Sequence, residues 1–351
     1  MLTPLHRFFR RNQSFVEGAV AAAGLAAIVA LVLRALPVYP ANWAPVIVIL
    51  IGLVGLRWPA IAYLLAVLAV IYPLYTISLY LAVLFIALSV LGQRAFAHYL
   101  GATVLVLATP LLANYHLHWA VPLVAGLWWG TSGGAWAGGL AALWGKMLAG
   151  MAGLHPDWLT LPGFLPPLDG IIQRYHSLNS LQTLIKLLQP FAPDTTTLLY
   201  HLLQIAIWVA AGAVVGTLAG RRWVEHRQPW SILLLASLGG LILLAGHLGL
   251  PLWLADVGPE QVDASLIVGA AVVAVLIAAP LTMIRKSLEL PVKPSMPKVR
   301  RKVSWRARLG LVPSPQKAAA GPVEPKPMPV PELPEWQAPE DDNSLIMLEL
   351  D

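Results

Sequence analysis

Few side chains in this chain could do chemistry. Lys146 stands inside an apolar run, 134 to 153, and no Asp or Glu occurs in the 139 residues between Glu17 and Asp157. An ionisable group at membrane depth is costly and is functional by default, so Lys146 is a candidate ligand contact, or its long stem carries the charge out to an interface. The other cluster is Asn114-Tyr115-His116-Leu117-His118-Trp119, placed at an outer helix end. Asn114, His116 and His118 could meet a ligand. Two histidines at i, i+2 without Asp, Glu or Cys nearby do not make a metal site, while Tyr115 and Trp119 suit an aromatic belt at the membrane surface. His98, His201 and His247 are solitary in sequence and read as packing residues. There is no nucleophile elbow to select a serine and no cysteine at all. No catalytic residue, metal or cofactor is expected, and the chain does not read as an enzyme. The carboxylate gap also argues against a proton pump, which needs acids at mid-membrane.

Gly126, Gly130, Gly134 and Gly138 recur every four residues, and Ala142 and Lys146 continue the series. Small residues at this spacing let helix backbones approach closely in lipid, where burial of apolar surface drives nothing. The same glycines could instead thin the wall around a ligand, with Trp128, Trp129, Trp136 and Trp144 as its sides.

The stretch Leu123-Val-Ala-Gly-Leu-Trp-Trp-Gly-Thr-Ser-Gly-Gly-Ala-Trp-Ala-Gly-Gly-Leu140, within residues 120–153, resembles a Gly-rich helix–turn–helix of two groups. These are the substrate-binding S components of energy-coupling-factor vitamin transporters and the membrane input domains of bacterial sensor proteins. The resemblance implies a helical bundle that binds a small molecule or vitamin near its outer face. Ala19, Ala23 and Ala27 have the spacing with which S components meet their membrane partner. This chain differs in offering more helices and a long tail.

The elements that must position these residues follow from composition. Of 351 residues, 58% are hydrophobic and 11% charged, against roughly 25% charged in soluble domains. Apolar runs at 14–36, 42–56, 58–72, 75–92, 95–113, 118–130, 134–153, 197–220, 229–249 and 263–284 predict an all-α, polytopic transmembrane bundle of about ten segments. Residues 118 to 153 as one helix would run about 54 Å, far beyond an apolar core of about 30 Å, so a break is expected within Gly130-Thr131-Ser132-Gly133-Gly134. With the N-terminus inside, Arg7, Arg10, Arg11, Arg57, Arg94, Arg221, Arg222, Arg227, Arg285 and Lys286 lie inside, and Arg34, Arg174 and Lys186 lie outside. Positive residues collect on the cytoplasmic side, so both termini of this multi-pass cell-membrane protein are expected there.

Residues 154–196 form an external loop in which Leu178, Leu181, Leu184, Ile185 and Leu188 recur at helical spacing. They predict an amphipathic helix, either a connector over the bundle mouth or a ligand-gating lid. From 285 to 351 the composition predicts a disordered cytoplasmic tail. Its basic part, 285–308, carries nine Lys or Arg and one Glu and suits anionic lipid head groups; it lacks a folded reader, so nucleic acid is not an expected partner. Its Pro-rich and acidic part, 322–351, ends in an apolar island where Leu345, Ile346, Leu348 and Leu350 could dock a membrane or cytosolic protein. Two functions follow from these features. One is a small-molecule-binding component of a transporter or sensor, and the other is a non-catalytic scaffold that recruits partners through its tail.

Overall fold

A computed structural model describes residues 11–40, 42–153, 168–226, 230–254 and 264–289. Among them the fold is all-helical. In chain order the helices are α1 (Gln13–Ala35), α2 (Trp43–Gly55), α3 (Pro59–Ile77), α4 (Leu79–His98), α5 (Leu100–Ala113), α6 (Ala120–Ala152), α7 (Leu168–Tyr175), α8 (Ser180–Leu188), α9 (Thr195–Ala219), α10 (Arg222–His226), α11 (Trp230–Trp253) and α12 (Ala264–Glu289). Six of these, α1, α3, α4, α9, α11 and α12, are long and apolar enough to cross a membrane. The chain is therefore a multi-pass membrane protein. Helices α2 and α5 are apolar but shorter, so among the described residues six helices, against the about ten segments expected, have the length and apolarity of a span.

The break expected near Gly130 is present. Gly130 has φ 72° and ψ −163° inside α6, a left-handed backbone that costs a side chain but not glycine. The two halves of α6, residues 120–129 and 131–152, fold back on each other. A Cβ built on Gly134 would lie 2.7 Å from the Cα of Gly126, and one on Gly138 would lie 3.1 Å from Pro122 Cβ. In a straight helix, residues eight apart are separated by about 12 Å. The first half is about 15 Å long and α5 about 21 Å, both short of the roughly 30 Å apolar core. Together they make a short helical pair, reversed at residues 114–119, where His116 takes a positive φ of 57°. The second half of α6, about 33 Å, is long enough to span.

Helix α9 lies antiparallel to that second half in the most extensive helix contact of the bundle. The glycines meet backbone to backbone. A Cβ on Gly134 or Gly138 would strike the carbonyl of Gly212 or Trp208, and a Cβ on Gly216 would strike Gly130. Helices α11 and α12 complete this half around Leu123, Val215, Leu235, Leu243 and Ala274, all buried. A second cluster joins α1, α2 and α3 through Leu25, Val29, Ile51 and Ala66.

Local signals set the ends. Asn179 and Gln182 form a reciprocal capping box at the start of α8, Asp194 caps α9, and Gly153 closes α6 in the left-handed region. Helix α8 turns its predicted apolar row outward: Leu181, Leu184, Ile185 and Leu188 are exposed, and Thr183 and Leu187 are the buried residues. Helix α12 continues to Glu289, which corrects the expectation that the tail begins at 285. Arg285 is the reason that end is held. Its Nε donates to Glu17 Oε1 at 2.8 Å, its Nη1 donates to the Trp128 carbonyl at 3.2 Å, and its guanidinium sits 4.9 Å from the Trp128 ring centre. One side chain thus ties α12 to α1 and to the end of the first half of α6. The remainder of the basic block, the acidic segment and the Leu345, Ile346, Leu348 and Leu350 motif lie outside the described residues.

Candidate functional site

Lys146 is buried within the protein. It is 1% exposed and points between the second half of α6 and α9. Antiparallel pairing of these helices around the glycine series places position 146 beside His201 and Gln204. Lys146 Nζ lies 3.2 Å from His201 Nδ1 and donates to Gln204 Oε1. The Lys146 amine thus stands between the His201 ring and the Gln204 side-chain carbonyl. Gln204, also 1% exposed, turns its carbonyl oxygen to the amine, and its Nε2 has no hydrogen-bond partner. Two polar side chains on α9 thus meet the Lys146 amine inside the bundle.

The site lies six residues from the end of α6 and six from the start of α9, about 9 Å in from those ends. The chain between 168 and 191 closes over it. Phe191 meets the His201 ring edge-on at 5.9 Å, and Pro190 packs on Gly150. Arg174 on α7 donates to the Gly150 carbonyl at 3.2 Å, which also accepts from the Gly153 N–H that caps α6. Tyr175 beside it is fully buried. Burial pushes its phenol up from the ordinary tyrosine value, while Arg174 pulls the other way.

Two turns further along α9 a second group begins. Trp208 Nε1 donates to His247 Nε2 on α11 at 2.9 Å. Trp119 stacks on His247 with ring centres 5.0 Å apart, and His118 stacks on Trp208 at 6.1 Å. Trp119 is 1% exposed, so it is not part of an aromatic belt. The short α5–α6 pair reverses beside the middle of α9 rather than at the surface, and this buries the turn. Only Tyr115 of that cluster is freely exposed. Asn114 Oδ1 and His116 Nδ1 are buried without a hydrogen-bond partner.

The tryptophans do not converge on Lys146. Trp128 Nε1 donates to Thr282 Oγ1 at 3.1 Å, and its ring lies under Arg285. A cavity of about 160 Å³ adjoins it, lined by Leu127, Trp128, Thr282, Arg285 and Lys286. Trp129 packs against Gly101, and Trp136 faces Phe96 and Tyr99. Among the candidate residues, Lys146 enters the α6–α9 seam, His118 the aromatic group beside it, and Trp128, Trp129 and Trp136 pack elsewhere. Among the described residues no three His, Asp or Glu side chains gather to hold a metal ion.

Sequence inspection left His201 and His247 solitary and passed over Gln204 and Trp208. A signal existed. His201, Gln204, Trp208 and Gly212 fall at intervals of three, four and four, one face of a helix that is otherwise apolar. No family model, no curated protein and no solved structure matches the chain.

Proposed function

We propose that the protein binds a small molecule inside its helical bundle, between the second half of α6 and α9, and serves as the ligand-binding part of a transporter or sensor. The observation that carries this reading is the burial of Lys146 against His201 and Gln204 in a seam otherwise built from glycine, alanine and leucine. An ion in such a place costs several kcal/mol of desolvation even after relaxation. Packing alone is better served by a hydrophobic side chain of the same volume, which is often neutral or stabilising by about 1–4 kcal/mol. A lysine kept there has work other than holding the helices together.

With both termini cytoplasmic, the site opens toward the outer face, beneath α7 and α8. The chain from 168 to 191 is then the lid, and Phe191 its contact with the site. Energy or output comes from a partner protein.

Mass spectrometry of small molecules retained after mild detergent purification tests the reading. Wild-type protein is expected to retain a ligand that Lys146→Met has lost, while the variant melts at the same temperature or higher. Equal retention by the two proteins, or a large drop in the melting temperature of Lys146→Met, would mean that Lys146 is structural.

A further inference from the structure

We propose that the cavity where α12 meets the first half of α6 is a binding site for a phosphate group, and that its occupant is the head group of an anionic phospholipid. The site is independent of the function proposed above, since Lys146 lies about four turns further on, toward the other end of α6. The cavity holds about 160 Å³ between Leu127 and Trp128 on one side and Thr282, Arg285 and Lys286 on the other. A water needs only about 10–15 Å³ of such space, so a phosphate fits with waters of its own. Thr282 accepts from Trp128 and donates to the Ala278 carbonyl, so the hydroxyl and the indole are spent on each other and on the helix. Arg285 is committed to Glu17 and to the Trp128 carbonyl, which makes it a fixed part of the wall. Charge is what remains to recognise a ligand. Among the described side chains that line the cavity or join it, two cations stand against one carboxylate, Glu17. Lys286, half-buried, supplies the excess, and a lysine binds phosphate as a point charge on a flexible stem.

The place of the cavity on α12 identifies the source of the phosphate. The apolar span of this helix runs from Ala264 to Ser287, so Arg285 and Lys286 stand at its head-group end. Ile277, Leu281 and Ile284 are exposed and recur at i, i+4 and i+7, one apolar stripe that runs up to the cavity. A phospholipid with its phosphate at Lys286 lays its acyl chains along that stripe, whereas a free phosphate uses none of it. Basic pockets between spanning helices take anionic head groups in this way. A zwitterionic lipid carries its own cation beside the phosphate and gains less from Lys286. The site is built from α6 and α12, so it is separable from the seven Lys and Arg of residues 293–308, whose attraction to an anionic surface is expected to be diffuse and weakened by salt.

The full chain in a neutral detergent, offered phosphatidylglycerol, phosphatidylcholine or inorganic phosphate, tests this by native mass spectrometry and melting. Wild-type protein is expected to retain a single phosphatidylglycerol and to melt higher with it than with phosphatidylcholine. Lys286→Gln is expected to melt like the wild type in phosphatidylcholine and to bind phosphatidylglycerol at least about tenfold more weakly, while Lys286→Arg keeps the binding. A full chain with the seven cations of 293–308 replaced by glutamine is expected to keep the retained lipid. Undiminished retention in Lys286→Gln, an equal response of the wild type to the two lipids, or loss of the lipid on replacing the seven cations would overturn the proposal. If Lys286→Gln does not fold, the wild-type comparison of the two lipids and the seven-residue variant decide between these outcomes. Inorganic phosphate that raises the melting temperature as much as phosphatidylglycerol would overturn the lipid as the source of the phosphate.

Discussion

Lys146 illustrates how much a residue's meaning depends on its neighbours across the bundle. Its own helix offers it nothing polar at i±3 or i±4, since Ala142, Leu143, Ala149 and Gly150 occupy those positions. His201 and Gln204 on α9 stand against its amine instead. Asp194, at the start of the same helix, is a simpler case. The backbone N–H of Thr197 donates to Asp194 Oδ1 at 2.6 Å and the Thr197 hydroxyl donates to Oδ2 at 3.1 Å. These bonds favour the ionised form and hold the carboxyl below its ordinary value. A depressed folded value means stability that is present above the unfolded value and lost as pH falls through the folded one. The melting temperature is therefore expected to fall as pH is lowered from about 6 to about 3, and by less in Asp194→Asn, which keeps a capping oxygen without the charge. The group is exposed, so the difference is small. Identical pH profiles for the two proteins would show that Asp194 does not contribute.

At the scale of elements, the glycine series is a seam for two partners at once. Gly134 has Gly126 on one side, in its own folded-back helix, and Gly212 on the other, in α9. Backbone stands at both places and cannot move aside. Gly139, off the series, would place a Cβ 2.8 Å from Val209 Cγ2, the end of a side chain. Gly134→Leu is expected to destabilise by about 1–3 kcal/mol or more, or to prevent assembly, whereas Gly139→Ala should be milder because Val209 can shift. A detergent melting series checks this, and equal tolerance of the two substitutions would remove the close-packing account. The fold-back at Gly130 also explains why the ladder is so regular. One row of small residues has to serve the inner face of a hairpin and the groove for α9.

For the whole molecule, the distribution of charge fixes an expected orientation that helix geometry then has to satisfy. The fold-back in α6 fits an even count: the α5–α6 pair returns the chain toward the end where α5 began, and the second half of α6 has the length to cross. Arg94, Arg221, Arg222, Arg285 and Lys286 are then expected on one side, and the positive-inside rule makes that the expected cytoplasmic side. A reporter fused after residue 289 is expected to be active only as a cytoplasmic enzyme, and activity confined to the outer side would reverse the orientation and place the lid segment inside. The Arg285–Glu17 pair is partly exposed, at 21% and 42%, so its charge contributes little beyond about 1 kcal/mol. Its larger role is at the end of the folded-back half-helix, where Arg285 Nη1 donates to the Trp128 carbonyl.

Composition and apolar run length were enough to establish a helical membrane protein, because lipid leaves helices few alternatives. The starts of α1, α9, α11 and α12 fall within a few residues of where hydropathy put them. A break within 130–134 was legible as well, since a 36-residue helix does not fit a bilayer, and the structure puts it at Gly130. What the two sides of that break do was not legible. The α5–α6 pair buries His118 and Trp119 because the chain turns back beside the middle of α9, and run length alone does not distinguish a half-span from a frayed full one. The polar partners of Lys146 lie 55 and 58 residues away, joined to it by an antiparallel pairing that no local pattern encodes. Which face of α8 is exposed was likewise decided by what α8 packs against. A sequence reports the energy of placing each residue in lipid or water, whereas partners, depth and direction arise only when two helices choose a common register.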